Sequence, residues 1–76
     1  MREREHSRMR MLERYSIDLT DELREQIRHQ ITKEESRFLY EHSLTRTVHE
    51  VTVMGKKVIV VWSKVRGSIV TVLPAE

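Results

Sequence analysis

Apolar residues recur at helical spacing up to residue 32 and at every second position from residue 37 onward, so the chain changes structural type once. Residues 1–14 read as a helix, rich in Arg, Glu, Met and Leu and free of Gly and Pro. Met9, Leu12 and Tyr15 fall on one side at steps of three, with Met1 and Met11 off that line. Glu3 and Glu5 suit its N-terminal turn and Arg14 its last turn. A second helix is expected over 20–32. Thr20 is the expected N-cap, Asp21 and Glu22 favour the positive end of the dipole, and Leu19 can staple the first turn. Leu23, Ile27 and Ile31 repeat every four residues as the buried edge, leaving Arg24, Glu25, Arg28 and Gln30 outward. Residues 33–36 read as a polar connection.

Strands follow. Phe38 and Tyr40 alternate with Arg37, Leu39 and Glu41 in a short edge strand, and 45–54 is a β-branched run. Gly55-Lys56 is the expected two-residue turn, in the residue order of a type II′ hairpin. Residues 57–63, with VIVVW at their heart, make the central strand. Residues 64–67 turn, with Gly67 free to take positive φ, and the last strand, 68–73, ends at Pro74. The predicted class is α+β: one domain over 1–76, with two N-terminal helices packed on an antiparallel meander of three or four strands spanning 37–73.

Composition narrows the setting. Seventy-six residues hold one small core, with a stability margin on the order of 5 kcal/mol. Cysteine is absent, which excludes disulfides and thiolate metal sites and favours the cytoplasm for so small a domain. The N-terminal MREREHSRMRMLER lacks the apolar stretch of a signal peptide, and no run is long enough to span a bilayer, so no membrane contact is expected. The net charge of +2 is unevenly spread: +2 over 1–14, −3 over 15–45 and +3 over 46–76. The strand half is thus the basic half, which suits a phosphate-binding sheet.

Most chemistries find no support. His6, His29, His42 and His49 form no HxH or HxxxH pair, so no metal site is expected. Gly55 and Gly67 both belong to turns, so no glycine-rich phosphate loop exists and no cofactor is expected. One constellation remains on the sheet. Arg46, His49, Lys64 and Arg66 accompany Trp62 and Tyr40, and cations, a proton-exchanging histidine and aromatic rings are what RNA cleavage by 2′-hydroxyl attack requires. In that reading His49, Lys64 and Arg66 are catalytic, while Arg46, Trp62 and Tyr40 hold RNA. Strand alternation puts Arg46 and His49 on opposite faces unless a bulge intervenes.

The element order and the closing VIVVWSKVRGSIVTVLP resemble the small RelE-like and BrnT-like toxin superfamily, together with small domains of unknown function from phages and prophages. The likeness covers roughly residues 15–74 and rests on the LT-DEL-EQI helix start, the R-x-V-x-x-V strand from Arg46 and the final SIVTVLP. It implies an endoribonuclease, free or ribosome-dependent, neutralised by an antitoxin that covers its sheet or helices. Toxins of this group use scattered Arg, Lys, His and Tyr, for which His49, Lys64 and Arg66 are the matching candidates.

Two functional readings follow. One is that endoribonuclease. The other is a protein-binding or regulatory module on the same scaffold, phage-encoded in one version, which asks for no residue the chain lacks and is preferred. Its expected partner surface is the narrow stripe Met9, Leu12 and Tyr15, closing a homodimer or lying in the groove of an antitoxin or host protein.

Overall fold

The computed structural model describes residues 3–74, with two helices, α1 (Glu3–Tyr15) and α2 (Asp21–Thr32), ahead of four strands. The strands are β1 (Arg37–Ser43), β2 (Arg46–Val53), β3 (Lys56–Ser63) and β4 (Ser68–Leu73). They form one antiparallel meander in the order β1-β2-β3-β4, as the sequence pattern predicts. Met1 and Arg2 of the expected first helix, and the side chains of Glu3 and Arg4, lie outside what is described. No helix among the described residues is long and apolar enough to cross a membrane.

Both helices pack on one face of the sheet. Val51 and Val53 of β2, Val58, Val60 and Trp62 of β3, and Ile69 and Val72 of β4 meet Met11, Tyr15, Ile27 and Ile31 in one buried cluster. Ile17 and Leu19, from the link between the helices, join it, while Asp18 between them stays outside and takes a two-point ion pair from Arg8. That carboxylate raises the Arg8 guanidinium above its ordinary value, by hydrogen bonding first and charge second. Thr20 caps α2 as expected, its hydroxyl accepting from the Leu23 N–H at 3.3 Å.

Four details differ from the sequence reading. The buried stripe of α1 is Ser7, Met11 and Tyr15, at steps of four, whereas Met9 and Leu12 are 47% and 55% exposed. Serine does not register as hydrophobic, yet Ser7 is fully buried. Gln30 does not face out: its side-chain amide donates to the Thr52 carbonyl and accepts from the Thr52 N–H. The pairing of β1 with β2 stops at Arg37 and Glu50, so this amide extends the ladder one step past the end of β1.

The β2–β3 turn is Met54-Gly55, since Val53 pairs with Lys56. Both turn residues have positive φ, 51° and 77°, which is the type I′ pattern instead of the type II′ turn expected at Gly55-Lys56. Finally, β1 is irregular at Leu39 and again at His42. The first irregularity turns Phe38 and Tyr40 to opposite faces, where plain alternation placed them together. Gly67 takes positive φ as expected.

Candidate functional site

Opposed residues of an antiparallel pair share a face, and successive residues alternate. β2 and β3 pair without interruption from Arg46–Ser63 to Val53–Lys56. Thr47, His49, Val51 and Val53 therefore face the helices, and Arg46, Val48, Glu50 and Thr52 face the other way. No bulge in this ladder reunites Arg46 with His49.

His49 is half-buried, and both its ring nitrogens are engaged. Nδ1 is 3.1 Å from the Ser36 hydroxyl and Nε2 is 2.8 Å from the Thr47 hydroxyl. The Phe38 ring meets it edge-on, with centroids 5.7 Å apart. Burial holds its pKa below the ordinary value of 6.5. The ring is a neutral strut between two hydroxyls, and it must lose one of them before it can take a substrate proton.

The other expected ribonuclease residues do not gather around it. His49 stands opposite Val60, and Lys64 lies four residues further along the chain, about 13 Å at strand rise. Lys64 and Arg66 are exposed in the β3–β4 turn, where the Arg66 N–H donates to the Ser63 hydroxyl at 3.1 Å. Trp62 is 6% exposed and belongs to the helix-side core, so it cannot stack on a base. Tyr40 is 49% exposed and pairs with Val48 on the face away from the helices, as Arg46 does two residues along.

The expected partner stripe is also divided. Tyr15 is buried, its hydroxyl donating to the Leu73 carbonyl at 2.7 Å and accepting from the Ile59 N–H at 3.2 Å, so it is structural. Met9 and Leu12 remain on the surface. Among the described residues no three His, Asp or Glu side chains come together as a metal site. The cleft of about 450 Å³ between the helix starts is lined by Glu5 and Asp21 against Arg8 and Arg24, a mixture of signs that favours neither anion nor cation.

The helix-free face carries the feature that remains. Val48, Val61 and Val70 form a second buried cluster there, against which Leu39, Ile59 and Leu73 pack half-exposed. The strip thus crosses all four strands. The irregularity between Val61 and Trp62 in the β3–β4 ladder lets β4 supply Val70 to this face while Ile69 and Val72 serve the other. Register places Arg37, Arg46 and Lys57 around the strip, with Glu50 as the one carboxylate on the same face of β2 and β3.

No known protein family, curated protein or solved structure compared with the chain matches it. The strip had a signal in the sequence. Alternation in a strand covered on one side gives apolar residues at one parity, and Val58 to Trp62 is apolar at both. The same run that marks β3 as central therefore also marks a second apolar face.

Proposed function

We propose that this chain is a small protein-binding module whose working surface is the helix-free face of the sheet. The observation that carries the reading is a face that receives neither helix yet offers Leu39, Ile59 and Leu73 half-exposed, packed against buried Val48, Val61 and Val70. Valine packed this way on both sides of a sheet is what a two-layer fold has no internal use for. Tyr40, half-exposed beside Val48, is the kind of rigid aromatic that anchors an interface. The rim of Arg37, Arg46 and Lys57 against Glu50 selects the partner: an aliphatic surface bordered by carboxylates. A RelE/BrnT-like scaffold kept as a binder is consistent with this reading. The ribonuclease alternative has less support, because His49 faces the helices with both nitrogens engaged and Trp62 lies in the core.

The test is photo-crosslinking in cells that produce the chain, with benzoylphenylalanine at position 40 or, as control, at exposed Gln26 on α2. Adducts should form from position 40, not from 26, and should vanish with Ile59→Lys and weaken with Arg46→Glu, both variants keeping the native circular dichroism. Equal adducts from both positions, or adducts indifferent to Ile59→Lys, contradict the proposal. Single-stranded RNA cleaved by the purified chain, with or without ribosomes, and spared by Arg66→Ala, would restore the nuclease reading instead.

A further inference from the structure

We propose that the end of the sheet formed by the β1–β2 and β3–β4 turns is a separate docking surface, and that it rests on an anionic lipid bilayer. It adjoins the strip, sharing Arg46 with its rim, and does not rest on the protein partner inferred for that face.

Two side chains at this end are the most exposed large apolar groups described: Leu44 at 90% and Val65 at 76%. They occupy adjacent hairpin tips, since the Lys64 N–H donates to the Thr45 carbonyl at 2.8 Å and ties one turn to the other. Neither belongs to a core cluster, and neither serves its turn. Leu44-Thr45 connects β1 to β2, Ser43 pairing with Arg46, and neither residue is left-handed, so the turn itself calls for no particular side chain there. The fold therefore gives no reason for an aliphatic residue at either point.

The surroundings are cationic. Exposed Arg46 and Lys64 stand just behind the tips. No Asp or Glu occurs in residues 42–49 or 51–75. The carboxylates of β1 and β2 sit lower on the sheet, Glu41 opposite Thr47 and Glu50 opposite Ile59.

Hydrocarbon at the point with cations set behind it is the profile that an anionic bilayer accommodates. Aliphatic side chains enter below the headgroups while basic ones stay at headgroup level. A nucleic acid offers the phosphates but gives Leu44 and Val65 nothing to enter. The exposed aromatic nearest this end, Tyr40, lies back on the helix-free face opposite Val48 and not at the tips. Resting on a surface in this way needs no spanning segment.

The experiment is co-sedimentation of the full chain with vesicles of phosphatidylcholine alone or with 30% phosphatidylglycerol. Binding is expected only with the anionic lipid. Lys64→Glu should weaken it at least five-fold, given the attraction of each cation to an anionic surface. Leu44→Ser with Val65→Ser, which alters no charge and no core contact, should weaken it about ten-fold. A Val65→Trp variant should show a blue-shifted emission on anionic vesicles relative to the chain in buffer. No sedimentation with anionic vesicles at low salt overturns the proposal. So does binding that Leu44→Ser with Val65→Ser leaves intact, and so does tighter binding to a single-stranded oligonucleotide than to the vesicles.

Discussion

The hydroxyl of Tyr15 donates to the carbonyl of Leu73 at 2.7 Å, joining the last residue of α1 to the last residue of β4. The same oxygen accepts from the Ile59 N–H at 3.2 Å, and Ile59 is the residue paired with Leu73. The phenol thus stands inside the β3–β4 ladder and completes it. Tyr15→Phe keeps the ring in the core and orphans two partly buried backbone groups. Urea denaturation should show a loss of about 1–3 kcal/mol with an unchanged m-value.

Gln30 does the same at the opposite edge, meeting the N–H and C=O of Thr52 at 3.0 and 2.8 Å. Because the site is exposed, Gln30→Ala should cost only about 1 kcal/mol. Its signature is local: amide exchange should speed up at Thr52 and stay unchanged at Val60.

Among the described residues Ser16, Glu34 and Met54 hold left-handed backbone without being glycine or asparagine, and the last two sit where those residues are favoured. Glu34, φ 58°, follows α2 in a Schellman arrangement, where the Glu35 N–H reaches the Gln30 carbonyl at 2.7 Å and the Glu34 N–H reaches that of Ile31 at 3.2 Å. Met54, φ 51°, opens the type I′ turn with its side chain 73% exposed. Glu34→Gly and Met54→Asn should each raise stability by about 0.5–1 kcal/mol, read as a higher melting temperature.

The depressed pKa of His49 makes stability depend on pH. The unfolded chain takes up a proton near the ordinary value of 6.5, and burial makes the native ring refuse it until the pH is lower. The unfolded state therefore binds more protons in that window, and stability falls as pH drops from 6.5 through the lowered native value. Above it the contribution is complete. His49→Gln should flatten this part of the stability profile, measured by denaturation at a series of pH values.

The element boundaries were legible because local chemistry marks them: Thr20 at the start of α2, Gly67 in its turn, Pro74 after β4. The faces were harder. Tyr15 fits steps of three through Leu12 and Met9 as well as steps of four through Met11 and Ser7, and only contact with the sheet chooses between them. The irregularity at Leu39 depends on pairing with a strand ten residues away, so nothing local reveals that Phe38 and Tyr40 part company. Arg46 and His49 were separated correctly by parity alone, which is why the expected catalytic group comes apart in three dimensions.

The central claim, that the helix-free face is the binding surface, is tested most directly by hydroxyl-radical footprinting of the unsubstituted chain, alone and in complex with the partner that the crosslink identifies. The account predicts protection at Tyr40, Ile59 and Leu73, with Met9 and Leu12 on α1 oxidised as before. Protection of Met9 and Leu12, with Tyr40, Ile59 and Leu73 unchanged, would contradict it and return the interface to the first helix.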